Sequence, residues 1–214
     1  MTVTKIEALG KGRQRVFLDG EAAFALYRGE ISRLGLKEGT EISQGQYDEI
    51  LRDILLKRAR LRCMNLLKSM DQTEWQLRTK LRRGDYPEGV TEEAIAYVKS
   101  FHYVDDVRYA RNYIESRSRS RSIRQISQEL RNKGISSEDI ETAFGEAEME
   151  NEEYAIRKLV EKKHMNLETP TREELRKYYA FFMRKGFSYS AVREVLQGGT
   201  SRWEVYGEHD DHAG

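Results

Sequence analysis

The sequence predicts a mainly α-helical chain of tandem three-helix repeats behind a small N-terminal β-rich module. Three observations predict it. Only two of the 214 residues are proline, Pro87 and Pro170, so helices can run through almost the whole chain. Apolar residues make up 38% and charged residues 34%, so each helix must pair a thin apolar stripe with a broad polar face. After residue 50, one six-residue pattern returns three times.

The first 45 residues read as strands. Residues 2–9, 14–18 and 22–27 are short β-compatible runs, separated by Gly10-Lys11-Gly12 and by Asp19-Gly20, a hairpin signal. A turn through Leu34 to Gly39 leads to a last short strand at 40–42. Three or four strands alone are marginal, so this module needs a helix to pack on.

From Tyr47 the period becomes helical. Ile50, Ile54, Leu55, Arg58, Leu61 and Leu66 follow one helix face, with Cys63 and Met64 beside it. Asp71 followed by Glu74 reads as the capped start of a second helix carrying Trp75, Leu77 and Leu81. Thr91, Ala94, Ile95 and Val98 give a third. The arrangement then recurs. Leu81/Tyr86, Leu130/Ile135 and Phe182/Phe187 are equivalent pairs, each enclosing a basic turn that ends in Asp85, Gly134 or Gly186. One turn earlier stand Leu77, Ile126 and Tyr178; beyond the pairs stand Ile95, Ile140 and Val192. Repeats of this length are stacked supersecondary units. The expected divisions are a module at 1–45, repeats at 46–102, 103–149 and 150–198, and a polar tail at 199–214.

The net charge of +1 conceals a segregation. Residues 51–135 hold 19 basic and 11 acidic side chains, a net +8, and residues 136–153 hold eight acidic and no basic ones. Either the charges cancel around solvated helices or the basic middle meets a polyanion. Catalysis finds no support. No phosphate-binding glycine loop occurs, and Cys63, alone in an apolar helical stretch, reads as a buried inert thiol. His209 and His212 stand in the polar tail, where no second shell is expected to hold a metal. His102 and His164 sit near helix ends. No cofactor or metal is expected. The densest apolar stretch, 178–183, is far short of the ~20 residues of a membrane span, and no secretory segment follows Met1. A cytoplasmic, monomeric, non-enzymatic protein is expected.

Residues 122–144 imitate a DNA-reading helix-turn-helix, yet the would-be recognition helix carries Glu138, Asp139 and Glu141 and no cation, so phosphates would repel it. Basic side chains gather elsewhere. Arg117, Arg121 and Arg124 either share one face of a helix end or lie in a loop; both arrangements suit phosphates or a carboxylate-rich protein. Tyr109 and Tyr113, spaced i,i+4 on an apolar stripe, read as core packing.

The run Tyr103-Val104-Asp105-Asp106-x-x-Tyr109-Ala110-x-x-Tyr113-Ile114-x-x-Arg117, followed by Ile126-x-x-Glu129-Leu130-x-x-Lys133-Gly134-Ile135, resembles the RecX family of recombinase regulators. Two positions differ from the family pattern: Met70-Asp71 stands where Arg-Ser is common, and Ser122 where Gly is common. The resemblance implies an elongated row of three-helix units that binds a RecA-type recombinase filament on single-stranded DNA. It implies limited filament growth, and hence reduced ATP hydrolysis and recombination by that partner. Salt-sensitive, sequence-independent binding to single- and double-stranded DNA is expected beside it. The candidate contacts to DNA or recombinase are Arg58, Arg60, Arg62, Arg82, Arg83, Arg117, Arg121, Arg124, Arg131 and Lys133. A recombinase-facing acidic patch is assigned to Glu138, Asp139 and Glu141. The alternative is a helical DNA-binding protein with no recombinase partner.

Overall fold

The computed structural model describes residues 1–198, so the 199–214 tail with His209 and His212 lies outside the described residues. The chain divides into two compact units, one ending at Asp106 and the other beginning at Val107.

The first unit opens with an antiparallel meander of β1 (Val3–Gly10), β2 (Arg13–Leu18) and β3 (Glu21–Tyr27). Asp19 and Gly20, both at positive φ, close the second hairpin, as the right-handed strand twist favours. Val16 and Leu18 alternate into the core. Helix α1 (Arg28–Arg33) follows at once, which the sequence pattern did not reveal; the Glu30 carboxylate accepts the Tyr27 amide at 2.8 Å. The strand expected at 40–42 is reduced to one bridging pair, Thr2 with Glu41, because the chain touches only the first residues of the sheet before turning away.

Ser43 caps α2 (Gln44–Glu49), which runs into a π-helical stretch, Ile50–Leu56, and then α3 (Lys57–Ser69). The consecutive Leu55 and Leu56 of this stretch are both buried. Helix α4 (Glu74–Arg82) starts at Thr73, whose hydroxyl accepts the Gln76 amide at 3.2 Å while the Gln76 side chain accepts the Thr73 amide at 3.1 Å. The capping box is thus Thr73 with Gln76, two residues beyond the expected Asp71–Glu74 pair. Helix α5 (Glu88–Ser100) begins after Pro87. The sheet and these helices share one core, including Phe24, Leu26, Ile50, Leu55, Leu77 and Leu81. That sharing is how a three-stranded meander gains its support.

The second unit holds two three-helix sets. Helices α6 (Asp106–Arg117), α7 (Ile123–Asn132) and α8 (Ser137–Glu146) close on Ala110, Ile114, Ile126, Leu130 and Ile140. Helices α9 (Glu152–Lys163), α10 (Arg172–Arg184) and α11 (Tyr189–Gln197) close on Ala155, Ile156, Phe182, Phe187, Val192 and Leu196.

The three anchor pairs do the same job. Leu81, Leu130 and Phe182 are each 0% exposed. The amides of Tyr86, Ile135 and Phe187 donate back to their carbonyls at 3.4, 3.2 and 3.2 Å. Inside each loop, Asp85, Gly134 and Gly186 take φ of 57°, 80° and 80° and donate to Arg82, Arg131 and Met183. These paired bonds form a Schellman motif, with the left-handed residue one step before the apolar anchor. The repeat is therefore a repeat of helix termination as well as of apolar spacing.

Candidate polyanion interface

In the first unit several expected contact residues have internal partners. Arg58 pairs with Glu30, donates to the Ala25 carbonyl and lies 4.8 Å from the Tyr27 ring centre. Arg60 packs 4.5 Å over the Tyr97 ring, with its Nε buried and without a hydrogen-bond partner among the described residues. Arg82 grips both oxygens of Glu88, at 3.0 and 2.6 Å, and Arg78 pairs with Glu74 and Glu92. Arg62 and Arg83 are exposed and take part in no ion pair among the described residues.

Two functional-looking cations that sequence reasoning did not select, Arg13 and Arg15, reach from β2 to Asp85. Arg13 donates to the Gly84 carbonyl and to Asp85 (3.3 Å), and Arg15 donates to Asp85 through Nε (3.1 Å) and again through Nη2. The acid that replaces glycine in the first turn therefore receives the sheet.

In the second unit the Arg/Ser run is a connector. Helix α6 ends at Arg117, and α7 begins beyond Ser122, so Arg117, Arg121 and Arg124 do not share one helix face. Arg121 pairs with Glu129 at 2.7 Å, and Glu129 also accepts the Tyr113 hydroxyl at 2.6 Å. Burial, and then the bond to Glu129, push the Tyr113 phenol above its ordinary pKa. Tyr109 and Tyr113 stack 6.4 Å apart against the core, with Lys133 lying 5.7 and 5.3 Å from their centres and Arg117 5.5 Å from that of Tyr113. These cations lie within cation–π range of the two rings.

Ser122 is wholly buried. Its hydroxyl caps α7 by accepting the Gln125 amide (3.2 Å) and donates to the Lys185 carbonyl (2.7 Å). Glu152 accepts the Ile123 amide (3.1 Å) with one oxygen and the Ser188 amide (2.9 Å) with the other. Together they fasten the turn after α10 against the start of α7. Between α7 and that turn lies an open groove of about 720 Å³, walled by Arg124, Gln128 and Arg131 on one side and by Arg184 and Lys185 on the other. Among the described residues no carboxylate lines it. Arg184 and Lys185 were not selected from sequence, although they occupy the same turn as Arg82 and Arg83 in the first repeat.

The acidic residues sit on α8. Glu138 and Glu141 are exposed, whereas Asp139 accepts the Ser136 hydroxyl at 2.7 Å beside the helix N-terminus. Elsewhere, Cys63 is buried and burial pushes its thiol up to about 11, so it stays protonated. Among the described residues no helix is long and apolar enough to cross a membrane.

Models of the first, second and third three-helix domains of RecX match residues 59–97, 105–143 and 151–196, each span holding one anchor pair. Regulatory protein RecX of Clostridium acetobutylicum is 30% identical, covering 98% of both chains. The chain belongs to the RecX family. Regulatory protein RecX of Caldanaerobacter subterraneus is 32% identical over 92% of this chain and 98% of its own length. A crystal structure of a regulatory protein RecX, 29% identical, matches 92% of this chain and 98% of its own with a TM-score of 0.61. RecX from Lactobacillus salivarius, 20% identical over 68% of this chain and 96% of its own, has a TM-score of 0.58 and shares the fold. In RecX terms, the sheet-bearing first unit contains the first three-helix domain, and the groove lies between elements of the second and third domains.

Proposed function

We propose that this RecX chain binds a RecA-type recombinase filament on single-stranded DNA and limits its growth, lowering recombination and ATP hydrolysis by that partner without catalysis of its own. It acts as a cytoplasmic monomer. Family membership, with relatives named regulatory proteins, supports the regulatory role. The observation that carries the reading is charge separation within the second domain: α7 offers Arg124 and Arg131, and α8 offers Glu138 and Glu141. A uniformly negative strand suits the first surface and is repelled by the second. A protein–DNA filament, with both signs on its surface, can satisfy both, and such complementarity sets register and on-rate. The basic residues then meet DNA or recombinase, and the acidic residues face the recombinase.

The test is retention on immobilised recombinase with and without single-stranded DNA, alongside recombinase ATPase activity. Reversing Glu138 and Glu141 to Lys should strengthen binding to naked DNA while weakening inhibition. Asp139 is left intact because it supports the α8 cap. If inhibition rises in step with DNA affinity, competition for DNA is the mechanism. DNA binding with no retention on recombinase would favour the helical DNA-binding alternative.

A further inference from the structure

We infer that the groove between α7 and the turn after α10 is the chain's seat for the sugar-phosphate backbone of a nucleic-acid strand. It is built jointly by Arg124 and Arg131 of one repeat and Arg184 and Lys185 of the next. The inference rests on the DNA-binding part of the function proposed above and narrows it to one place. Net charge alone would spread DNA contacts over residues 51–135. The structure divides that segment otherwise. Arg58, Arg78, Arg82 and Arg121 each have a carboxylate partner, and Arg60 packs on a ring. Among the described residues Arg124, Arg131, Arg184 and Lys185 form no ion pair, and no acid lines the single groove that they share.

Three features fit a phosphodiester chain. Arg124, Gln128 and Arg131 recur at i, i+4 and i+7 on α7, a row about 10 Å long, which is a track and not a point. Guanidiniums match phosphate oxygens in a fork, and the Gln128 amide adds a neutral donor. The groove is also held in shape: Ser122 ties to the Lys185 carbonyl, Glu152 holds both Ile123 and Ser188, and Gly186 lies where a Cβ would come within 3.2 Å of the Arg124 side chain. Little ordering is then needed on binding. Arg184 and Lys185 also suit the negative end of α10, but Arg124, in the first turn of α7, sits at a positive helix end where a cation gains nothing from the dipole.

Four cations on a single strand give a salt slope near −2.8, from about −0.7 per phosphate neutralised. The measurement is fluorescence anisotropy of a labelled oligo-dT strand with the full chain across a salt series. Arg131→Gln with Arg184→Gln should make the slope shallower by about 1.4. Arg131→Lys with Arg184→Lys should restore it, and Arg33→Gln with Lys37→Gln, exposed cations outside the candidate contacts, should leave it unchanged. In the unaltered chain, oligo-dT should shield Lys185 from acetylation several-fold, read by mass spectrometry, while exposed Lys68 stays reactive; this arm stands if the glutamine variants do not fold. An unchanged slope in the groove variant, a fall in the Arg33/Lys37 variant, or equal acetylation of Lys185 with and without DNA overturns the groove alone. Failure of the unaltered chain to bind oligo-dT at all overturns the DNA-binding reading beneath it. Loss of retention on recombinase with the DNA slope intact assigns the groove to a protein partner, and so also overturns the inference.

Discussion

The turns after α4 and α10 have the same backbone and opposite side-chain demands. Both close a Schellman motif through a left-handed residue, at φ 57° for Asp85 and 80° for Gly186. Asp85 pays a conformational penalty that Gly186 avoids, yet its carboxylate receives Arg13 and Arg15. At Gly186 the neighbouring Arg124 leaves no comfortable room for a Cβ. The residue at this position is chosen by what docks on the turn, while the turn itself is set by the backbone.

The comparison breaks first if the anchors are not equivalent. Leu130→Asp should cost at least about 4 kcal/mol in chemical denaturation, because an unpaired charge replaces a fully buried side chain. A loss under about 1 kcal/mol would remove the shared framework. Next, Asp85→Ala should cost about 2 kcal/mol, through lost arginine partners and an alanine held at positive φ. Asp85→Gly should recover roughly 1 kcal/mol of that by relieving the backbone alone. Equal losses for the two variants would mean that Asp85 matters only through its carboxylate. Gly186→Ala should then lose about 1–2 kcal/mol from the strained φ, with the contact to Arg124 adding to it. Full stability there would erase the contrast with Asp85.

The smallest effects lie in the pH limbs. Burial acts to raise the Glu74 pKa, but hydrogen bonds from Lys99 and Arg78 outweigh it and hold the carboxyl below its ordinary 4.5. Its stabilisation is therefore present above 4.5 and lost as pH falls through the lowered value. Tyr113 is raised above 10.0, so its contribution is present below 10.0 and lost as pH rises through the raised value. Glu74→Gln should flatten the acid limb of a denaturation-midpoint profile, and Tyr113→Phe the alkaline limb. The reverse assignment would show that other groups govern both.

The spacing of Leu81/Tyr86, Leu130/Ile135 and Phe182/Phe187 made the helical repeats legible, because one local motif demands apolar residues five apart around a left-handed position. Buried Cys63 was legible from its apolar helical stretch, although Leu61, read on the apolar face of that helix, is 62% exposed. Helix starts were less so: Asp71–Glu74 and Thr73–Gln76 both satisfy the capping spacing, and only the folded backbone chooses the second. The site was legible in composition but not in detail. Nothing in the chain order announces that Arg58 meets Glu30 or that Arg121 meets Glu129, since those partners are brought together by packing. Arg184 and Lys185 could have been found. Arg184 aligns with Arg83 and Lys185 with Lys133, and the repeat register carried the signal that a search for dense basic runs passed over.

Glu152 turns a chemical bond count into a mechanical property. One carboxylate holds the amides of Ile123 and Ser188, leading into α7 and α11, from its place on α9. Three helices thus meet at a single pivot: movement of α7 or α11 must stretch its bond to α9, and movement of α9 stretches both. A glutamine there would keep one acceptor oxygen and present an N–H donor where the second amide needs an acceptor. The junction would pass from a braced joint to a hinged one with no change in size, so the stiffness of the groove's two walls is written into the valence of one side chain.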